Sequence, residues 1–390
     1  MNALDIFIIV IVVIQAAYWA RIGFIQGIFS IAGFWTGFIA GAIIAPFIIV
    51  FIDEPGLSIL AAVAIIFGSA ALVGTIGRII GVRISRLTHR LRLGPINTIL
   101  GALTGAGITL LGIWLIASLF SGIPFREVNH QISHSTILQS MNDTLPPAPA
   151  IIAGIGGMIN PQGFPQVFVG LEPRPVEPVD EPTTAEVESA IAAAGTSTVR
   201  IEGTGCGGLV TGSGFIVDEG LIATNAHVVA GIDRPQVIDT AGSRGATVIY
   251  FDSEQDIAIL RTDGLAGDIL EISETLQERG TPAVALGYPE GGRLRGSSAA
   301  ILRNIQARGF DIYGERAVTR SLYELQGEIV SGNSGGPVVL PDGTVVGIVV
   351  SRSASNENIG YGIVSSEVVS ALEQASRTDS PVETGRCVRN

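Results

Sequence analysis

The sequence predicts two architectures in one chain: an all-α domain of four membrane-crossing helices, then an all-β domain of two antiparallel barrels. Three observations lead there. Residues 1–120 carry only nine charges, Asp5, Arg21, Asp53, Glu54, Arg78, Arg83, Arg86, Arg90 and Arg92, with long apolar stretches between them. From 121 to 182 the composition turns rich in proline and acid. Beyond residue 195, short apolar strands alternate with glycine turns, the pattern of small antiparallel barrels.

Composition narrows the function classes. A chain of 390 residues exceeds one typical domain, and a mean hydropathy of +0.49 with 15% charged residues is too apolar for an ordinary soluble enzyme. Membrane lipids are therefore expected partners. The net charge of -12 argues against nucleic-acid partners, since phosphate contacts need a basic surface. All 23 basic residues are arginine. The absence of lysine excludes a Ser-Lys dyad, a Schiff-base lysine and a P-loop lysine together. With two cysteines, four scattered histidines and no His-Glu-x-x-His, no metal site and no cofactor is expected.

In the first domain (1–120) the apolar stretches are 6–20, 22–52, 57–77 and 93–120. The first is short of the roughly 20 residues a span needs, so its helix must begin near Leu4 or continue past Arg21. A cleaved signal peptide would open on positive charge, whereas this chain opens on Asp5. Arg21 separates the first two stretches, and the five arginines from Arg78 to Arg92 separate the last two. By the positive-inside rule both connections face the cytoplasm, leaving the N-terminus, Asp53, Glu54 and everything after residue 120 outside. Gly23/Gly27, Gly33/Gly37/Gly41, Gly77/Gly81 and Gly101/Gly105 share a four-residue spacing, which permits close helix packing within the chain or self-association between copies. No ionisable residue lies in mid-span, so a proton or ion pathway has nothing to run on. In length, glycine pattern and topology the segment resembles the colicin V production protein family, a resemblance that implies no chemistry.

Residues 121–182 hold ten prolines, among them Pro146-Pro147, Pro173, Pro175, Pro178 and Pro182, interspersed with Glu172, Glu177, Asp180 and Glu181. Such a stretch reads as an extended linker, exposed to cleavage that would release the downstream domain, self-cleavage included. His130 and His134 have the spacing of a metal pair on a helix, but solvated histidines near the membrane surface are the better reading.

The third segment (183–390) opens with Thr183-x-x-Glu186, a capping box that starts a helix ending near Gly195. Strands are expected at 197–201, 208–217, 221–224, 246–251 and 257–261, then at 281–286, 298–307, 317–325, 338–340, 345–351 and 360–364. A helix over 366–375 closes the domain. About 200 residues suffice for a sizeable core.

The chemistry lies in Gly332-Asn333-Ser334-Gly335-Gly336-Pro337. Glycines around a serine let an attacked carbonyl approach and main-chain N–H groups face its oxygen, although the same residues also make plain turns. A serine nucleophile needs a general base, and the base an orienting acid. His227, in Thr224-Asn225-Ala226-His227-Val228-Val229, is the only histidine in the domain. Asp256 heads the apolar strand Ile257-Ala258-Ile259-Leu260, which would hold its carboxylate immobile and shielded; Asp252, in a turn, is the rival. Gly332-x-Ser334-x-Gly336 also fits the nucleophile elbow of α/β-hydrolases, but there the histidine follows the serine, and none follows Ser334. The order histidine, aspartate, serine is that of chymotrypsin-like proteases.

These three motifs closely resemble those of trypsin-like proteases of the HtrA (DegP) branch, over about residues 195–375, and Gly212-Ser213-Gly214-Phe215 fits that branch's strand before the histidine. The resemblance implies a chymotrypsin-like double β-barrel with His227, Asp256 and Ser334 as the triad and the N–H groups of Gly332 and Ser334 as the oxyanion hole. HtrA enzymes usually end in PDZ domains, whereas only 56 residues follow Ser334 here, too few for one. Four spans joined to a trypsin-like domain without PDZ resemble the MarP-like family of actinobacterial membrane-anchored periplasmic serine proteases. That likeness implies cleavage of envelope proteins on the outer side of the cytoplasmic membrane in acid or oxidative stress. Asn333 stands where digestive zymogens have an aspartate that captures a freed N-terminus, and an amide cannot form that ion pair, so other contacts must order the oxyanion loop.

The specificity pocket is expected along Glu328, Ser331, Ser351, Arg352 and Ser353, with 360–362 opposite; Glu328 is either a selector of basic side chains or a surface residue. Cys206 and Cys387 both lie on the external side, where disulfides persist, and are expected to pair rather than remain two free thiols. Such a bond would tune activity with redox state. The leading expectation is a membrane-tethered serine endopeptidase acting on peptide substrates. The alternatives are a vestigial protease domain acting as a membrane-anchored scaffold and a transporter or structural membrane protein.

Overall fold

The computed structural model describes residues 1–49, 55–90, 93–120, 126–145, 167–168, 171–205, 207–353, 355–377 and 380–388. They divide into two compact units, Met1–Trp114 and Leu115–Asn390.

Four long helices, α1 (Ala3–Ile22), α2 (Phe24–Ile49), α3 (Pro55–Arg90) and α4 (Gly94–Phe120), each contain a segment long and apolar enough to cross a membrane. Asp5 belongs to a capping box: its backbone N–H donates to the Asn2 side chain and its carboxylate accepts from the Asn2 N–H. This cap starts α1 at Ala3, which brings the first span to 20 residues. α3 does not stop near residue 77 but runs to Arg90, so Arg78, Arg83, Arg86 and Arg90 ride on helix rather than on a connection. Arginine is a good helix former, so the apolar pattern ends before the helix does. The glycine spacing serves packing inside the chain. A Cβ at Gly37 would stand 2.3 Å from the Ser69 carbonyl oxygen and one at Gly77 2.1 Å from that of Phe29. The Ser69 hydroxyl donates to the Gly37 carbonyl at 2.8 Å across the same α2–α3 contact.

The stretch 121–182 is not linker throughout. Residues 126–144 form α5 (Arg126–Ser133) and α6 (Thr136–Thr144). Of the ten prolines only Pro124 precedes Pro146, so nothing in that stretch breaks a helix. His130 and His134 stack with ring centroids 4.1 Å apart, and no cluster of three or more metal-ligating side chains occurs among the described residues. Residues 171–182 are extended, as expected, but docked on the second barrel. Gln326 bonds both the N–H and the C=O of Val179, while Arg303 and Arg279 donate to the carbonyls of Arg174 and Glu177. Proline removes the N–H groups a strand ladder needs, so guanidinium groups meet the remaining carbonyls instead.

In the following domain, the capping box of Thr183 and Glu186 starts α7 (Thr184–Ala194). Seven strands come next: β1 (Thr198–Gly205), β2 (Gly208–Asp218), β3 (Leu221–Thr224), β4 (Gln236–Asp239), β5 (Gly242–Gly245), β6 (Thr247–Asp252) and β7 (Ile257–Arg261). They form one antiparallel sheet in the order β5-β4-β1-β2-β3-β7-β6. The hairpin β4–β5 is an addition to the expected strands, because glycine, serine and arginine in β5 carry no alternation of apolar residues. Six more strands, β8 (Pro282–Gly287), β9 (Arg295–Phe310), β10 (Ala317–Gln326), β11 (Pro337–Val339), β12 (Val345–Arg352) and β13 (Ile359–Val364), close into a barrel ordered β10-β13-β12-β11-β8-β9.

Each half has its own core. Val199, Ile201, Ile216, Ile222, Val237, Val248 and Leu260 fill the first, and Ala283, Ile301, Tyr323, Leu325, Val338 and Val349 the second. A further cluster, Phe215, Ile257, Ile259, Leu286, Leu322, Ile348 and Ile363, spans both sheets and reaches the closing helix α9 (Ser365–Ala375) through Val368. Each such side chain contributes about 1.5–3 kcal/mol of burial, so the seam between the halves is a packed interior that can hold groups from both in fixed register.

Candidate active site

β3 ends at Thr224, and after Asn225 the chain makes one helical turn, α8 (Ala226–Val229), that carries His227. Pairing of β3 with β7, Thr224 opposite Ala258, brings the residue before β7 alongside that turn. That residue is Asp256. It is fully buried and adopts φ +62, a left-handed conformation uncommon outside glycine. Its N–H donates to the Asp252 carbonyl and its own carbonyl accepts from Asn225 Nδ2.

The Asp256 carboxylate grips His227 at two points. Oδ2 lies 2.8 Å from Nδ1 and Oδ1 accepts the His227 main-chain N–H at 2.9 Å. An ionised carboxylate only accepts, so the ring proton belongs on Nδ1 and Nε2 is left as the basic nitrogen. Asp252 is spent on its own turn, accepting from the N–H groups of Glu254 and Gln255. Of the two rivals it is therefore Asp256 that meets the imidazole. Asp252 also accepts from the Tyr250 hydroxyl, whose pKa is pushed up to about 12, by burial first and by the Asp252 charge second.

Arg320, on β10 of the second barrel, bonds the turn that ends at Asp256 and is not among the residues the sequence singled out. It is 3% exposed and donates from Nε to the Glu254 carbonyl. Burial pulls its pKa down, and the charges of Asp256, Asp252, Asp311 and Glu254 oppose that, Asp256 most. Burial alternates along β10 only from Val318 to Leu322, with Arg320 at an inward position, too short a run to single it out.

Ser334 sits 6% exposed on the loop before β11. Among the described residues no hydrogen bond joins it to His227; such contacts are commonly long until substrate binds. Gly335 has φ +84, and a Cβ there would lie 2.2 Å from the Ser213 carbonyl oxygen. Gly332 has φ +95, and a Cβ there would lie 2.4 Å from the Tyr288 carbonyl oxygen. Among the described residues the N–H groups of Gly332 and Ser334 have no hydrogen-bond partner, while that of Asn333 donates to Val330. Two free donors beside a hydroxyl are what an oxyanion requires.

The residues expected to line a pocket separate. Ser331 and Glu328 are exposed, whereas Ile329 between them is buried, its Cγ1 2.1 Å from where a Gly360 Cβ would be. Ser351 and Ser353 are buried, and Arg352 is half-exposed. Ser353 Oγ donates to the Glu172 carboxylate at 2.7 Å, Ser355 bonds the same oxygen, and Phe168 stacks edge-on against Tyr361 at 5.0 Å. The segment ahead of the domain therefore covers this end of the expected pocket. No pattern around Glu172 singled it out from the other acids of the proline-rich stretch. Cys206, and with it the expected pairing with Cys387, lies outside the described residues; Cys387 Sγ lies 2.7 Å from where a Gly231 Cβ would be.

A two-barrel domain with this histidine, aspartate and serine order defines a trypsin-like serine peptidase, and the family profile described as Trypsin-like peptidase domain matches residues 212–348. The profile described as Colicin V production protein matches 4–146, so it takes in α5 and α6 beyond the four spans. Serine protease Rv3671c of Mycobacterium tuberculosis is 30% identical over 99% of this chain and 98% of its own. A crystal structure of that protease, described as its active form, superposes with a TM-score of 0.54 at 33% identity, over 56% of this chain and 98% of that one. A probable periplasmic serine endoprotease DegP-like of Rickettsia conorii is 30% identical over 45% of this chain and 35% of its own. This chain belongs to the MarP-like family of serine proteases, in which a colicin V production protein-like membrane region is joined to a trypsin-like peptidase domain.

Proposed function

We propose that this serine protease hydrolyses peptide bonds through His227, Asp256 and Ser334. His227 takes the proton from Ser334 as the hydroxyl attacks the carbonyl, then delivers it to the leaving amine, while Asp256 stabilises the imidazolium. The N–H groups of Gly332 and Ser334 receive the oxyanion, each worth roughly 3 kcal/mol. The observation that carries this reading is the two-point grip of Asp256 on His227, which holds the ring in the one tautomer a general base needs.

The substrates are proteins of the cell envelope, and the physiological setting is acid or oxidative stress. The membrane region tethers the enzyme in the cytoplasmic membrane with the peptidase domain outside. Support comes from the arginines, with Arg21 in the last turn of α1 and Arg78, Arg83, Arg86 and Arg90 along the C-terminal part of α3, at the two helix ends that would face the cytoplasm; a Cys206–Cys387 disulfide would call for the same external placement. The linker is the candidate site of self-cleavage.

Labelling the membrane-embedded chain with a fluorophosphonate tests the chemistry. Wild type is expected to label, and Ser334→Ala and His227→Ala are expected not to. An unlabelled wild type would identify a vestigial domain acting as a scaffold instead. Comparing the secreted and membrane proteomes of cells carrying wild type or Ser334→Ala reads out the substrates. Identical envelope fragments in both would rule out envelope proteolysis.

A further inference from the structure

Resting on the serine-peptidase reading, we infer that Ser213 is a positioning residue for the oxyanion hole, its hydroxyl holding the peptide group between Gly332 and Asn333. The loop needs such a hold. Among the described residues Asn333, only 1% exposed, has no hydrogen-bond partner for its Oδ1, and an amide makes no ion pair.

Ser213, fully buried on β2, meets the loop twice. Its Oγ donates to the Gly332 carbonyl at 2.7 Å, and its main-chain N–H donates to the Ser334 carbonyl at 2.8 Å. It is anchored from behind: Oγ accepts the Tyr288 N–H at 2.9 Å, and its carbonyl accepts from Thr224 Oγ1 at 2.7 Å. The hydroxyl thus uses its one donor on the loop and an acceptor lone pair on the second barrel, a role that neither alanine nor glycine can fill.

Planarity turns these bonds into aim. In a trans peptide the C=O and the following N–H point in opposite directions, so holding a carbonyl fixes where its N–H faces. The Ser331 carbonyl accepts the Glu290 N–H at 2.7 Å, which turns the Gly332 N–H the other way. The Asn333 carbonyl accepts the Gly336 N–H at 2.9 Å, which does the same for the Ser334 N–H. Between these two planes lies the peptide of Gly332 and Asn333, whose N–H bonds Val330 at 3.1 Å and whose carbonyl accepts, among the described residues, from Ser213 Oγ alone. Gly332 has no side chain to resist rotation, so releasing that carbonyl leaves the middle plane on its Val330 bond and loosens the two planes that hinge on it. Glu290 is the second arm of the clamp. It adopts φ +54, and Arg200 Nη1 donates to the next carbonyl, that of Gly291, at 2.7 Å. A non-glycine residue held left-handed beside a reacting loop is where strain serves placement.

The test uses the full chain in detergent micelles, with fluorescein-labelled casein for turnover, a rhodamine fluorophosphonate for the rate of Ser334 modification, and thermal unfolding as a control. Ser213→Ala is expected to lower kcat and the modification rate together by about 10- to 100-fold, less than deleting an oxyanion donor outright, with KM within about twofold. Ser213→Cys keeps the shape with a weaker donor and is expected to lose about 3- to 10-fold in both. Folded Ser213→Ala within twofold of wild type in both rates overturns the inference, as does a loss confined to KM. Should Ser213→Ala fail to fold, Ser213→Cys with unchanged kcat and modification rate overturns it as well. Failure of wild type to label, or labelling that survives Ser334→Ala, sinks the serine-peptidase reading itself and is thereby told apart from failure of Ser213's role.

Discussion

At the scale of single residues, the site depends on Asp256 doing two jobs at once: its carboxylate fixes the imidazole, and its left-handed backbone ends the turn that begins at Asp252. Asparagine tolerates the same backbone conformation, so Asp256→Asn isolates the charge. An amide that donates toward Nδ1 selects the wrong tautomer, and kcat is expected to fall by about 10⁴ with folding retained. Casein cleavage within tenfold of wild type would contradict this role. Asp256 was legible because the apolar strand after it is a local pattern, and His227 and Ser334 because motif and chain order leave no competitor. Arg320, Glu172 and Glu290 were not. Their partners lie 66, 181 and 41 residues away in the chain, at Glu254, Ser353 and Ser331, and no local pattern reports such pairings.

Elements show the same divide. The hairpin β4–β5 depends on Asp239, which accepts from the N–H groups of Ala241, Gly242 and Ala266 and from Arg244. Burial of that carboxyl works against ionisation, but the donors, Ala266 first, outweigh it and hold the pKa below the ordinary value of 3.8. The folded state therefore favours the ionised form. Its contribution is complete above that ordinary value and is lost as pH falls through the lower folded-state value. Asp239→Asn is expected to cost about 1–2 kcal/mol at pH 7. The gap in melting temperature to wild type should narrow at pH 3, and an equal gap at both pH values would contradict the assignment. Strands β3 and β7 were read to the residue because alternation and glycine turns bound them. β5 has neither, and α5 and α6 were hidden by averaging a proline-free stretch with the proline-rich one after it.

For the whole molecule, the two units make separate predictions. Reporter fusions after Arg21 and after Arg90 are expected to read cytoplasmic, and fusions after Glu54 and at the C-terminus external; any reversal defeats the proposed orientation. The C-terminal tail already lies on the first barrel. The Gly231 N–H donates to the Thr384 carbonyl, Thr384 Oγ1 donates to that of Ile232, and the Val382 N–H to that of Val248. A Cys206–Cys387 disulfide would lock this docking, so removing both cysteines is expected to lower stability by up to about 5 kcal/mol. Unchanged melting temperature and activity in the double variant would defeat both the bond and its regulatory role.

Hydrophobic period, caps and glycine spacing act between residues close in the chain, so the membrane spans, most of the strand pattern and the candidate triad His227, Asp256 and Ser334 were present in the amino-acid order alone. Three features were not: which donors hold the carbonyls of the Ser334 loop, that Glu172 covers the Ser353 turn, and that Arg320 bonds the turn that ends at Asp256. Those are hydrogen bonds and charges between segments joined only when two sheets share one core, and Ser213, an ordinary serine in a strand until then, is where the loop and the seam meet.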